Sequence, residues 1–167
     1  MPHVVEITEV PSRTLAVTTF HVDRSELGAM GDLMGAAFGT VAAHLGGAGA
    51  GPVGPAVACY RPDASGFEVS AGFEMHGSVE CDAHVQILVL PACTVAHTTH
   101  LGGYDTLADA YADLRSAAEA RGTHLLEDVP MWEEYWSGPE TPEAQIRTEV
   151  YWPVDTAPAA APAADPV

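Results

Sequence analysis

An internal repeat constrains this chain more strongly than any single motif. The segment VEITEVPSRTLAVTT, residues 5–19, aligns with VQILVLPACTVAHTT, residues 85–99, at an offset of 80 positions. Seven pairs are identical, including the proline that interrupts each segment. β-branched residues dominate both segments, which predicts an extended strand that breaks at the proline and then resumes. We therefore interpret the chain as a duplication, with halves at about residues 3–80 and 83–154.

Each half continues with one predicted helix and two more predicted strands. In the first half, apolar residues recur every three or four positions from Leu27 to Leu45, and two glycines follow. In the second half, a similar stripe runs from Leu107 to Ala118 among alanines, which favour helix. The strand segments that follow are PAVACY and GFEVSAGFEM, then PMWEEYW and AQIRTEVYWPV. Two strand-helix-strand-strand units with antiparallel hairpins predict an α+β fold.

The chain is predicted to form one domain, residues 1–154, followed by a proline-alanine-rich tail, residues 155–167, that we expect to be disordered. No apolar run approaches the roughly 20 residues of a membrane span. The first residues also lack the basic and apolar regions of a signal peptide. We therefore expect a cytoplasmic protein with no membrane partner.

The charge balance limits the classes of partner. The chain has 23 acidic and 6 basic residues, a net charge of -17. This charge repels phosphate backbones, so we expect no binding of nucleic acid by the chain alone. The same field favours cationic small molecules or a basic protein. Cysteines and histidines within residues 81–100 are poorly spaced for zinc, and no nucleotide-binding signature occurs, so we expect no metal and no cofactor.

Two adjacent glutamates lie inside an aromatic segment, PMWEEYWSGP. Strand alternation places Glu133 and Tyr135 on one face, and Glu134 with Trp132 and Trp136 on the other. We expect one glutamate to be solvated at a strand end. A carboxylate beside aromatic rings in a partly dry cleft would bind a cation, or would act in general acid–base chemistry with a raised pKa. The residues alone leave open which glutamate is functional.

Three motifs of the second half resemble those of the GyrI-like small-molecule-binding family. That family includes the effector-binding domains of AraC-type and MerR-type multidrug-responsive regulators. The motifs are a His-x-Gly-Pro-Tyr helix entry, a Trp/Phe-Glu-x-Tyr strand and an Arg-Thr-Glu-hydrophobic-aromatic-x-Pro ending. The matching residues are His100, Gly102, Tyr104, Trp132, Glu133, Tyr135, Arg147, Thr148, Glu149, Tyr151 and Pro153. Gly103 stands where proline is usual, which loosens the helix entrance.

The resemblance implies a ligand cleft between the halves, near a pseudo-two-fold axis, with Glu133 as its acid and Tyr135 pointing the same way. The other candidate wall residues are Tyr60, Tyr104, Trp132, Trp136 and Trp152. The implied function is that of a stand-alone effector-binding domain for a hydrophobic or cationic drug or natural product, in sequestration or self-resistance.

Two alternatives remain open. One is a hydrolase that opens the strained rings of DNA-alkylating natural products, with Glu133 and Tyr135 as catalytic residues. The other is a protein-interaction module whose partner is DNA gyrase or a DNA-binding regulator.

Overall fold

A computed structural model describes residues 1–51 and 53–155, and this part of the chain forms nine strands and two α-helices. The strands are β1 Val5–Val10, β2 Arg13–Asp23, β3 Val53–Pro62, β4 Gly66–Glu74, β5 Gln86–Leu90, β6 Cys93–Leu101, β7 His124–Leu125, β8 Met131–Tyr135 and β9 Arg147–Asp155. The helices are α1 Met30–Gly47 and α2 Leu107–Ala120. Asp155, the first residue of the predicted tail, is the last residue of β9. The rest of the predicted tail, residues 156–167, lies outside the described residues.

The strand order confirms the duplicated α+β fold. The antiparallel sheet runs β1-β6-β9-β8-β3-β4-β2-β5, with β7 beside β9. The order reads the same from either end when each strand is replaced by its repeat counterpart. The register agrees as well, because Glu6 pairs with His97 while the equivalent Gln86 pairs with Val17. The two halves are therefore related by a pseudo-two-fold axis between β3 and β8.

The short strands β1 and β5 are exchanged between the halves. β1 pairs with β6 of the second half, and β5 pairs with β2 of the first. β1 and β2 lie near opposite ends of the strand order, yet only Pro11 and Ser12 join them. The sheet must therefore curve until its ends approach each other. It encloses an apolar core on its helix-free face, with Leu15, Val57 and Trp132 among its members.

The two helices pack on the other face of the sheet. α1 contacts β2 and β4, and α2 contacts β6, β9 and β1. The apolar stripes fix these contacts, since α1 buries Val41 and Leu45 and α2 buries Leu114. The stripe of α1 starts later than predicted, because Leu27 is exposed in the 3₁₀ turn Arg24–Ala29. Between the helices, β3 and β8 form the floor of the cleft.

Within the described residues, neither helix is long and apolar enough to cross a membrane.

Candidate functional site

Glu133 lies at the centre of the sheet, beside the pseudo-two-fold axis. The repeat aligns residues 55–60 with residues 130–135, so Ala58 is the counterpart of Glu133. These two residues are also paired with each other across β3 and β8. The pseudo-two-fold axis must therefore pass between these two residues, directly beside Glu133. The Glu133 side chain faces the helices and is 4% exposed, so its carboxyl group has almost no contact with solvent.

Tyrosine hydroxyls provide the hydrogen bonds to this carboxyl group. Tyr111 of α2 donates to Oε1, and Tyr135 donates to Oε2 at 2.5 Å. The hydroxyls of Tyr135 and Tyr60 are 2.7 Å apart. Tyr60 is the repeat counterpart of Tyr135, so the two tyrosines meet across the axis. The structure therefore brings together three predicted residues, Glu133, Tyr135 and Tyr60, and adds Tyr111.

Sequence reasoning identified Tyr111 only as a member of the apolar stripe of α2. Its polar end was a usable signal, because a tyrosine on a buried helix face normally requires a hydrogen-bond partner. Nothing in the sequence showed that this partner would be Glu133, which lies 22 positions further along the chain.

Burial controls the ionisation of this cluster. It raises the pKa of Glu133, while the hydrogen bonds from the tyrosines act in the opposite direction by stabilising the carboxylate. Burial, reinforced by the nearby carboxylate, also raises the pKa of Tyr111 and of Tyr135. The tyrosines therefore remain protonated donors, and Glu133 keeps its proton to a higher pH than a solvated glutamate does.

Glu133→Gln is expected to stabilise the unliganded protein at neutral pH but not in acid. Because the pKa of Glu133 is raised above 4.5 in the folded state, the folded protein retains a proton that the unfolded chain releases. The wild type therefore loses stability relative to the variant as pH rises past that value, by at most about 1.4 kcal/mol for each pH unit. Urea unfolding of both proteins at about pH 4 and about pH 7.5 measures the difference. A gap that does not widen with pH would contradict the assignment.

Glu133 differs from the other two buried glutamates of the sheet. Glu134 is 6% exposed on the opposite face, and Arg13 Nη1 lies 2.5 Å from its Oε1. Glu149 is 2% exposed and accepts a hydrogen bond from Arg147 Nε at 2.6 Å. Among the described residues, no arginine or histidine nitrogen lies within 4.0 Å of the Glu133 carboxylate. The expectation that one of the adjacent glutamates is solvated is wrong, because the curved sheet buries both faces of β8.

The profile of the GyrI-like small molecule binding domain matches residues 3–155. The chain belongs to this family. No curated protein sequence matches the chain.

Solved structures share the GyrI-like fold over nearly the whole chain. The EcmrR C-terminal domain superposes with a TM-score of 0.76 and 21% identity, covering 94% of this chain and all of that one. SAV2435, solved bound to tetraphenylphosphonium, has a TM-score of 0.65 and 14% identity over 93% of this chain and 95% of its own. A hydrolase from Listeria innocua has a TM-score of 0.60 and 10% identity over 92% of this chain and 93% of its own.

Two of the three predicted tryptophans lie away from the acid of this GyrI-like domain. Trp132 and Trp136 project from the opposite face of β8, as strand alternation requires. Trp132 stacks on Tyr151 at 5.3 Å, and Trp136 is 49% exposed. The geometry therefore does not support them as wall residues of the Glu133 site. Trp152 does lie on the helix face, where its ring meets the ring of Tyr111 at 6.0 Å.

Side chains from both halves cover the acid. Tyr104 is half-exposed, and its ring lies edge-on to that of Tyr135 at 5.9 Å. From α1, Phe38 meets the same ring at 6.0 Å, and Met34 Sδ is 3.2 Å from the hydroxyl of Tyr60. The predicted residue Tyr104 thus lies at the rim of the site. A ligand that reaches Glu133 must move these side chains aside.

The helix entrance is ordered despite the glycine at position 103. His100 Nε2 lies 3.1 Å from the carbonyl oxygen of Gly103, a local contact within the helix-entry motif. Gly103 has φ -66° and ψ 159°, a conformation that proline also adopts. The backbone here would therefore accept a proline, although a Cβ at residue 103 would lie 2.6 Å from Asp105 Oδ1, so that side chain would have to move.

A cavity of about 320 Å³ opens beside the Glu133 cluster, at the end of the cleft where β8 begins. Its walls include Pro62, Arg115, Leu126, Val129, Met131 and Trp152. Met131 lies two positions before Glu133 and shares its strand face. The cavity therefore lies on the helix side of the sheet, next to the cluster, although none of the four cluster residues lines it.

Proposed function

We propose that this GyrI-like domain binds an amphipathic organic cation and that Glu133 recognises the positive charge. The observation that carries the proposal is the contrast among the buried glutamates. Glu134 and Glu149 have arginine partners, whereas within residues 1–51 and 53–155 Glu133 has only tyrosine hydroxyls. A buried carboxylate without a cation is costly. A cationic ligand would supply the missing partner in a low-dielectric site, where the attraction is stronger than in water.

The walls of the site favour a weakly hydrated, delocalised cation. Tyr135, Tyr104 and Phe38 present aromatic rings near the acid, and such rings attract cations. Met34 adds a flexible apolar side chain that can repack around ligands of different shape. A compact ammonium ion would lose more hydration on entering such a site than a phosphonium or a dye cation would. SAV2435, which shares the fold, was solved with a phosphonium of this kind.

Calorimetric titration with two matched probes tests the proposal. Tetraphenylphosphonium carries a delocalised positive charge, whereas triphenylphosphine oxide offers similar aromatic surface without a net charge. We expect the cation to bind at least about tenfold more tightly, since an interaction with a charged group contributes roughly 1.5–3 kcal/mol. Equal affinities for the two probes would show that the site recognises apolar surface and not charge. The absence of binding by the cation would overturn the proposal.

One observation also favours a hydrolase as a second candidate. Glu133 has a raised pKa and is hydrogen-bonded to Tyr135, which is hydrogen-bonded to Tyr60. Such a chain can hold and transfer a proton during general acid–base catalysis. In a hydrolase, Glu133→Gln would abolish turnover and leave substrate affinity nearly unchanged. In a binding module the same change would instead lower the affinity for the cation.

A further inference from the structure

The cavity at the start of β8 is connected to the Glu133 cluster through Tyr111. The hydroxyl of Tyr111 donates to Glu133, while its ring meets the edge of Trp152 at 6.0 Å. Trp152 lines the cavity together with Met131. Tyr111 therefore separates the acid from the cavity, and a ligand that moves its ring aside would reach both.

Arg115 of α2 holds a defined position at this cavity. Its guanidinium carbon lies 5.2 Å from the centroid of the Trp152 ring. Among the described residues, no carboxylate oxygen lies within 4.0 Å of this guanidinium, whereas Arg13 and Arg147 are both paired with glutamates. Arg115 therefore presents a planar set of N–H donors beside an aromatic face, and these donors are free to bind a ligand.

The two acidic residues of the cavity wall do not form an ion pair with the Arg115 guanidinium. Asp63 Oδ1 accepts hydrogen bonds from the backbone N–H groups of Ser65 and Gly66, and its Oδ2 lies 2.8 Å from His21 Nε2. These hydrogen bonds lower the pKa of Asp63, and they occupy its carboxylate oxygens within the local turn. Glu127 also lines the cavity but, like Arg115, it is exposed, so water screens its charge.

We propose that this cavity is the second half of the ligand site, and that it takes an apolar planar group carrying a carboxylate or another strong hydrogen-bond acceptor. Arg115 is its specificity-determining residue. This inference rests on the proposed function, since it describes the other end of the same ligand. The preferred ligands are then zwitterionic amphipaths, with a cation at Glu133 and an acceptor at Arg115.

Two dyes that differ at one group test this inference. Rhodamine 110 has a delocalised cation and a free carboxylate, and rhodamine 123 is its methyl ester. Arg115→Met keeps an apolar chain against Trp152 but removes the charge. We expect this variant to lower the affinity for rhodamine 110 roughly fivefold, the effect of a partly exposed charge pair. Its affinity for rhodamine 123 should be unchanged or higher. Fluorescence polarisation measures both affinities. Arg61→Met is the control. Arg61 is an exposed residue near the end of β3, on the face without helices, so its replacement removes the same charge and should change the affinity for neither dye.

The outcomes separate this inference from the proposed function. If Arg115→Met lowers the affinity for both dyes equally, Arg115 has a packing role. That result would overturn this inference but not the proposed function. The absence of any change would overturn it as well. Arg115→Lys keeps the charge without the planar fork and should retain part of the preference for rhodamine 110 if the inference holds. If Glu133→Gln leaves both dyes bound as tightly as the wild type does, the proposed function fails even where Arg115→Met distinguishes the dyes.

Discussion

Replacing Arg13 by methionine is expected to lower the free energy of unfolding by about 3–5 kcal/mol, because it leaves Glu134 buried without its cation. Arg13 Nη1 lies 2.5 Å from Glu134, and its Nε and Nη2 donate to Glu74 at 3.1 and 2.9 Å. From the part of the chain that the structure describes, Glu134 would retain only the hydrogen bond from Trp136 Nε1. A loss of this size is a large part of the roughly 5–15 kcal/mol that stabilises an ordinary domain.

Urea unfolding of four proteins measures this effect. The double variant Arg13→Met/Glu134→Gln should recover most of the loss, since it removes the stranded charge together with its partner. Arg61→Met removes an exposed arginine on the same face of the sheet and should change stability by less than about 0.5 kcal/mol. A loss below about 1 kcal/mol in Arg13→Met, or no recovery in the double variant, would mean that Glu134 is not buried as the structure shows.

The second large effect is expected at the acid of the cleft. Glu133→Gln keeps the shape of the side chain and its capacity for hydrogen bonds with Tyr111 and Tyr135. The variant should weaken the binding of tetraphenylphosphonium by about 1–3 kcal/mol, because the cation loses a charged partner in a desolvated site. Glu134→Gln is the matched control, because it alters the adjacent residue on the opposite face of β8. It should change cation affinity little, even though it disturbs the pair with Arg13. Equal losses in the two variants would contradict the assignment of Glu133.

The repeat and strand alternation predicted most of what positions the site. The shared proline-broken segments predicted matching halves, and the spacing of PAVACY against PMWEEY placed Tyr60 and Tyr135 in equivalent positions. Alternation alone separated Glu133 from Glu134. It also placed Trp132 and Trp136 on the face opposite Glu133, which argues against them as wall residues although they were named as candidates. The local period of a strand is a strong constraint because one position moves a side chain across the sheet.

Contacts between distant segments were not predictable. A repeat does not tell which copy a strand pairs with, so the exchange of β1 and β5 was missed. The burial of Glu134 depends on Arg13, which is 121 positions away and belongs to the other half. The role of Tyr111 depends on how α2 docks over β8. In each case the missing information is tertiary packing, since no local pattern specifies the partner.

The pH dependence of cation binding tests the central claim most directly. A permanent cation such as tetraphenylphosphonium does not titrate, so any change in its affinity across the acidic and neutral range must come from the protein. Because burial raises the pKa of Glu133, the wild type should bind more tightly as pH rises, by up to about tenfold per pH unit below that pKa. In Glu133→Gln the affinity should be low and nearly independent of pH. A wild-type profile that is flat, or that Glu133→Gln reproduces, would contradict the assignment of Glu133 as the group that recognises the charge.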